Sequence, residues 1–258
     1  MSQSIRLFEV DHLKVKISPD RLAMGQAAGQ AVAEKMRAIL KTKPRLFTVF
    51  ASAPSQNEFL DELSRSPGID WKRVTAFHLD EYVGLPGTAP QNFGNFLRVR
   101  LFEKVHPGAV HYLDGVAEDL EAECVRYATL LETNPFDIAC IGIGENGHIA
   151  FNDPPVADFD DPRLVKVVDL DLTSRLQQVH DGCFKDLESV PKKALTLTIP
   201  AIFSARFIYC MVPAPTKAEA VKKTLEGPIT TACPAAILRR HENATLFLDQ
   251  ESAKQLKI

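Results

Sequence analysis

A histidine and an aspartate follow a glycine-rich turn in the middle of the chain. Residues 141–155 read IGIGENGHIAFNDPP, so Gly144 and Gly147 precede His148, and Asp153 comes five residues after it. Glycine lets backbone N–H groups approach a ligand closely, so we predict that both glycines contact a substrate. A histidine at such a turn can transfer protons near neutral pH. The segment is therefore predicted to be a site of chemistry.

The same turn matches the dinucleotide-binding fingerprint, because Gly142, Gly144 and Gly147 have the spacing G-x-G-x-x-G after an apolar run. A true fingerprint opens a helix whose N-terminus holds a pyrophosphate. Here Pro154 and Pro155 follow soon after the third glycine, and a proline pair stops a helix. The match also lies mid-chain, which argues against a dinucleotide site. A tight turn without a ligand stays open as the other alternative.

A second candidate site is the pair Asp80-Glu81, which follows the β-rich run 74–79. Open α/β sheets bind ligands outside the carboxyl ends of their strands. A carboxylate at that position is well placed to abstract a proton. The alternative is a solvated turn, which is the commoner setting for two adjacent acidic residues.

Short apolar runs alternate with helical periods along the chain. Strands are predicted at residues 46–51, 74–79, 136–143, 164–170, 195–199, 207–212 and 245–248. Helices are predicted at residues 56–63, 92–105, 120–131 and 216–225. We therefore predict an α/β fold with one domain over residues 1–258, in which helices cover both faces of a mostly parallel, open, Rossmann-like sheet. Residues 153–163 are predicted to be a loop that could act as a lid.

Composition narrows the class of protein. Of the 258 residues 45% are hydrophobic, which is typical of a globular chain, and the net charge of −3 gives no basic stripe for nucleic acid. No apolar run approaches the length of about 20 residues that spans a bilayer, so no membrane is expected. Five cysteines without a C-x-x-C pair favour reduced thiols in the cytoplasm. No metal-ligand spacing is present, and neither a metal nor another cofactor is predicted.

Residues 80–85 (DEYVGL) and 142–153 (GIGENGHIAFND) together resemble the glucosamine-6-phosphate deaminase/isomerase family, whose superfamily includes 6-phosphogluconolactonase. The resemblance runs over residues 20–250 and includes further matching segments at 92–97, 191–199 and 217–227. It implies a deaminase that converts a sugar phosphate, glucosamine 6-phosphate or a close analogue, to fructose 6-phosphate and ammonia. The implied steps are ring opening and aldose–ketose isomerisation through an enol.

The resemblance also implies catalytic roles. His148 matches the histidine that opens the sugar ring, and Asp80 matches the base that removes the C2 proton. Asp153 stands where the family has a glutamate that orients the histidine, and its reach is shorter by one methylene. Asn146 replaces an aspartate of the histidine's relay, and asparagine cannot carry charge or take a proton. A changed substrate and a tolerated variant both stay open as explanations.

A phosphate site is implied in the same way. Lys217 matches the family's phosphate lysine, with a solvated lysine at a helix start as the alternative. Ser52 and Ser55 keep the hydroxyls of a phosphate loop, but residues 53–54 are Ala-Pro where the family has two glycines. A family arginine falls near His180. Ser52, Ser55 and Lys217 are therefore the predicted phosphate ligands, together with the helix N-terminus that follows Lys217.

Two other functions remain open at this stage. A lactone hydrolase, as in 6-phosphogluconolactonase, would need the histidine to activate water but has little use for a base at C2. A sugar-phosphate sensor would keep the pocket without turnover. Which amino sugar is bound is also open, because one hydroxyl's orientation depends on pocket geometry. A homo-oligomer is compatible with the family, whose members range from monomers to hexamers.

Overall fold

The computed structural model describes residues 5–257, and its strands form two sheets. The strands are β1 Arg6–Val10, β2 Leu13–Ser18, β3 Leu46–Phe50, β4 Val74–His78, β5 Asp80–Tyr82, β6 Ala109–His111, β7 Ile138–Ile141, β8 Val165–Asp169, β9 Lys193–Leu197, β10 Phe207–Val212 and β11 Ala244–Asp249. The larger sheet has eight strands in the order β1-β2-β11-β10-β7-β3-β4-β6. All its pairs are parallel except the β1–β2 hairpin. The smaller sheet, β5-β9-β8, is antiparallel.

Helices pack on both faces of the larger sheet. They are α1 Arg21–Leu40, α2 Asn57–Arg65, α3 Phe93–Leu97, α4 Glu103–Val105, α5 Leu120–Thr133, α6 Leu172–His180, α7 Ile199–Phe203, α8 Ala218–Glu226 and α9 Gln250–Ala253. Neighbouring residues of β3 point into different cores, as alternation in a strand requires. Phe50 packs with residues of α1 and α2, and Val49 packs with residues of α5 and α8. The predicted α/β fold with a mostly parallel, two-sided sheet is confirmed.

Several predicted elements differ from those observed. The helix predicted at 92–105 is divided into α3 and α4 by a π-helical turn over Arg98–Phe102. The strand predicted at 195–199 begins at Lys193, and its last two positions belong to the start of α7. No helix follows the glycine-rich turn until Leu172 in the described chain, which agrees with the argument from the proline pair against a dinucleotide site.

The first 45 residues contain elements for which no prediction was made, namely β1, β2 and α1. In α1, Gly25 and Gly29 lie against α2, where a Cβ on Gly25 would stand 2.4 Å from the Cβ of Glu58. A Cβ on Gly29 would stand 2.6 Å from the Cγ of Glu62. The two glycines therefore permit close helix packing, at some cost in helix propensity, and this weakens the sequence signal for the helix. No helix in residues 5–257 is long and apolar enough to cross a membrane.

The order of the larger sheet explains why distant segments meet. Strands β10, β7, β3 and β4 are consecutive neighbours and run parallel, so their carboxyl ends lie along one edge. Ser52 follows β3, Asp80 follows β4, His148 lies in the turn after β7, and Lys217 follows β10. All four candidate side chains are therefore delivered to the same edge, where open α/β sheets bind ligands.

Candidate active site

A cavity at this edge brings together most of the predicted site residues. It is lined by Ser52, Ser55, Asp80, Gly144, His148 and Lys217, and also by Gln56, Phe93, Gln177 and Gln178. Asn146 and Asp153 lie behind His148 and contact its ring. The cavity thus holds an imidazole, a carboxylate and a lysine that come from three different strand ends, which is the arrangement expected of an active site.

The His148 ring is held through one nitrogen. Nδ1 lies 2.8 Å from Asn146 Oδ1, 2.9 Å from Ser174 Oγ and 3.0 Å from Asp153 Oδ1. Because the amide oxygen of Asn146 and the carboxylate oxygen of Asp153 can only accept, we infer that Nδ1 bears a proton, and Nε2 is left to act on a substrate. Gly144 packs against the ring so closely that a Cβ there would stand 2.1 Å from Cε1.

Asp153 reaches His148 despite its short side chain. Its carboxylate is 1% exposed and also accepts hydrogen bonds from Asn146 Nδ2, at 2.8 Å, and from the Ser174 hydroxyl. Burial raises the pKa of Asp153, but the hydrogen bonds from His148, Asn146 and Ser174 and the histidine's charge outweigh it and lower the pKa below the usual value. Asp153 is therefore ionised at neutral pH.

The acidic pair Asp80-Glu81 is buried, and the alternative of a solvated turn is wrong. Both residues belong to β5, where Asp80 pairs with Thr196 of β9. Burial, and then the neighbouring Glu81 carboxylate, raise the pKa of Asp80 well above its usual range. A carboxylate with a raised pKa is a stronger base, which suits the abstraction of a carbon-bound proton.

Glu81 lies on the other side of β5 from the reaction centre and has a structural part. Its carboxylate accepts the backbone N–H groups of Tyr82, Phe93 and Gly94 at 2.9–3.1 Å, the last two at the start of α3. Burial raises the pKa of Glu81 to about 7, even though these three N–H groups oppose the shift. Glu81 therefore anchors the segment that carries Phe93 into the cavity wall.

An anion-binding end is formed by Lys217 and hydroxyl groups. Lys217 is 5% exposed and has no hydrogen-bonded or ion-paired side-chain partner among the described residues, so the alternative of a solvated lysine is wrong. Burial lowers the pKa of Lys217, and the more distant carboxylates of Asp181 and Glu145 oppose this. Ser52 Oγ is buried and has no hydrogen-bond partner within residues 5–257. Ser55 Oγ accepts a hydrogen bond from Gln56 Nε2 at 3.1 Å, so its own proton is free for a ligand.

The two glycines have a different part from the one predicted. The N–H of Gly144 donates to His148 O at 2.9 Å, and the N–H of Gly147 donates to Gly144 O at 3.0 Å. Gly147 has φ +87° and does not line the cavity, and a Cβ there would stand 2.7 Å from Cys233 Sγ. Both N–H groups are thus committed within the turn. The glycines shape the turn and admit the imidazole, rather than donate to a substrate.

His180 and the loop 153–163, which were expected at the site, lie away from the cavity. The His180 side chain is 61% exposed and lies 3.7 Å from Glu145, outside the cavity wall. The loop 153–163 is irregular, as predicted, but none of its residues lines the cavity. Helix α6 covers this side instead, so the loop is not placed to act as a lid over the site.

Three residues of α6 were missed by the sequence reasoning: Ser174, Gln177 and Gln178. Their spacing of i, i+3 and i+4 places them on one helix face, and this was the available signal. Gln177 Oε1 accepts the N–H of Glu145 at 2.9 Å and so ties α6 to the glycine-rich turn. Gln178 lines the cavity beside the anion end.

Comparison with known proteins shows which family the chain resembles. The family model described as glucosamine-6-phosphate isomerases/6-phosphogluconolactonase matches residues 19–247. A glucosamine-6-phosphate deaminase from Bacillus cytotoxicus is 39% identical over 188 residues, which cover 73% of this chain and 70% of the relative. One from Bacillus thuringiensis is 36% identical over 235 residues, which cover 91% of this chain and 85% of the relative.

Solved structures show the same relationship. A monomeric glucosamine-6-phosphate deaminase superposes with a TM-score of 0.85 at 31% identity, over 94% of this chain and 99% of that one. A 6-phosphogluconolactonase from Thermotoga maritima has a TM-score of 0.75 at 21% identity, over 92% and 99% of the two chains, and shares the fold. Because the family model spans most of the sequence and the relatives exceed 30% identity, the chain belongs to the glucosamine-6-phosphate isomerase/6-phosphogluconolactonase family.

Proposed function

We propose that this chain converts glucosamine 6-phosphate, or a close analogue, to fructose 6-phosphate and ammonia. The observation that carries the proposal is the cavity in which buried Asp80, oriented His148 and unpaired Lys217 meet. Two proton-transfer groups and one cation are the minimum that this reaction needs on an amino-sugar phosphate. The family relationship supplies the substrate class.

Ring opening is the first step, and His148 performs it. The reaction moves a proton at the ring oxygen of the sugar, so it needs a group that is acid or base near neutral pH. Nδ1 is held by Asn146, Ser174 and Asp153, which leaves Nε2 for the sugar. The ionised Asp153 stabilises the imidazolium when His148 carries the extra proton.

Asp80 performs the second step. Its carboxylate takes the proton from C2 of the open-chain sugar, the electrons move to form an enol that carries the amino group at C2, and the same proton is returned at C1, which leaves an imine at C2. Water then adds to this imine, which releases ammonia and leaves the ketose. Burial makes Asp80 a stronger base at this position, for the reason given above.

The anion end orients the substrate relative to these groups. Lys217 supplies the charge, and Ser52 and Ser55 supply hydroxyl donors that have no acceptor among residues 5–257. We assign the amide of Gln178, which lines the same wall, as an additional donor. An incoming phosphate strongly stabilises a buried cation that has no carboxylate partner. The phosphate supplies the opposite charge and the hydrogen bonds that replace the water lost on burial.

The test is ammonia release from glucosamine 6-phosphate, coupled to detection of fructose 6-phosphate. Wild type should turn over, and Asp80→Asn should lose at least about 100-fold in kcat, because general base catalysis contributes that much. Asp70→Asn changes an exposed aspartate whose side chain makes no capping bond, so it serves as the matched control and should keep wild-type activity.

Two other results would contradict the proposal. Hydrolysis of 6-phosphogluconolactone without ammonia release from the amino sugar would identify a lactonase. Tight binding of glucosamine 6-phosphate in equilibrium dialysis without turnover would identify a sensor. The cytoplasmic location stays a prediction of the sequence, and the oligomeric state stays open.

A further inference from the structure

A serine that no motif singled out makes two hydrogen bonds inside the histidine's network. Ser174 lies on α6 and is 1% exposed. Its Oγ is 2.9 Å from His148 Nδ1, and its hydroxyl donates to Asp153 Oδ1 in a short hydrogen bond. The hydroxyl is thus both an acceptor from the imidazole and a donor to the carboxylate.

The surrounding groups explain why this hydroxyl matters. Asp153 Oδ1 accepts from Asn146, Ser174 and His148, whereas Oδ2 is buried without a partner among the described residues. Asn146 is neutral, so Asp153 is the single carboxylate of the described chain within hydrogen-bond reach of Nδ1. A group that holds the Asp153 carboxylate in position therefore also sets where the negative charge lies relative to the imidazole.

We propose that Ser174 is a positioning residue for His148, which fixes the Asp153 carboxylate and links it to the imidazole through Nδ1–H···Oγ–H···Oδ1. The role rests on the proposed deaminase function, in which His148 opens the sugar ring. Ser174 does not touch the substrate in this proposal. It acts through Asp153 and His148, and it also makes their arrangement depend on the docking of α6.

Few other charges face Asp153. Arg175, the next residue on α6, points its guanidinium at the backbone oxygens of Leu187 and Val190. Glu145 of the glycine-rich turn faces His180. Within residues 5–257, His148 is the charged group that acts on the Asp153 carboxylate. A change at Ser174 is therefore transmitted to Asp153 and His148 without compensation from a nearby ion pair.

The primary test is an NMR titration of the Asp153 carboxyl in ligand-free protein carrying 13C-labelled aspartate, with the signal assigned from Asp153→Asn. In Ser174→Ala the carboxylate loses a donor that stabilises its charged form, so its pKa should rise by about one unit, which is a tenfold change in the protonation equilibrium. Thr173→Ala removes an exposed hydroxyl from the neighbouring position and should leave the titration unchanged.

The kinetic arm measures ring-opening chemistry. Ser174→Ala should lower kcat about tenfold with KM within about twofold of wild type, and the acidic limb of its pH profile should move to higher pH with Asp153. An unchanged Asp153 titration in Ser174→Ala, or an equal shift in Thr173→Ala, would overturn the proposal. Because the titration needs no substrate, absence of deaminase activity in wild type would refute the proposed function while the NMR result still decides the role of Ser174.

Discussion

Gly144→Ala should separate activity from folding, because the added methyl group would occupy space that the His148 ring fills. The new Cβ would stand 2.1 Å from Cε1 and 2.3 Å from both Nδ1 and Nε2, whereas ordinary van der Waals contact begins at 3.4 Å. The imidazole must therefore move by about 1.3 Å or more. Gly144 is not among the positive-φ glycines, so the substitution brings no left-handed backbone strain.

The size of the effect follows from this displacement. A misplacement of about 1 Å in a reacting group can cost about 100-fold in rate, which corresponds to about 2.7 kcal/mol of barrier. The ring would also lose its contacts with Asn146, Ser174 and Asp153, all of which depend on the position of Nδ1. We therefore expect kcat for ammonia release to fall about 100-fold.

The assay compares Gly144→Ala with Gly87→Ala under saturating glucosamine 6-phosphate. Gly87 is the matched control, because a Cβ there meets no atom within 4 Å and its φ is not positive. Circular dichroism and thermal unfolding establish that both variants fold. A folded Gly144→Ala variant with wild-type kcat would refute the reasoning, since it would mean that the ring position observed here is not the catalytic one.

Three further predictions follow from buried charge. Lys217→Met should raise KM at least tenfold, because the anion loses its cation, while thermal unfolding shows a higher Tm, because an unpaired buried charge is removed. Asn146→Asp should raise the pKa of Asp153 in the carboxyl titration and weaken folding by about 1–3 kcal/mol, since two carboxylate oxygens would lie about 2.8 Å apart in place of a hydrogen bond. The free energy of unfolding measured in urea should fall as pH rises from 4.5 to about 7, because Glu81 keeps a proton in the folded state that the unfolded chain has released. The loss of stability across this range is about 3 kcal/mol. Glu81→Gln should flatten the dependence of stability on pH.

The central strands of the larger sheet and the residues that follow them could be predicted from the sequence. Apolar runs and their turn residues indicate where β3, β4, β7 and β10 end. In a parallel sheet the carboxyl ends of the strands share an edge. Residues that directly follow neighbouring strands therefore lie close together, whatever the length and conformation of the loops. For this reason Asp80 and His148 could be singled out before any distance was known, whereas Lys217 was assigned from the resemblance to the family.

The partners of those residues depended on tertiary packing. Ser174 is 26 residues from His148 in the chain, and its contact exists only because α6 docks over the glycine-rich turn. The burial of Asp80 and Glu81 likewise depends on pairing of β5 with β9, more than a hundred residues away. A local pattern shows residue type and spacing, whereas the pKa of a carboxyl and the orientation of an imidazole are set by whatever segments pack against them.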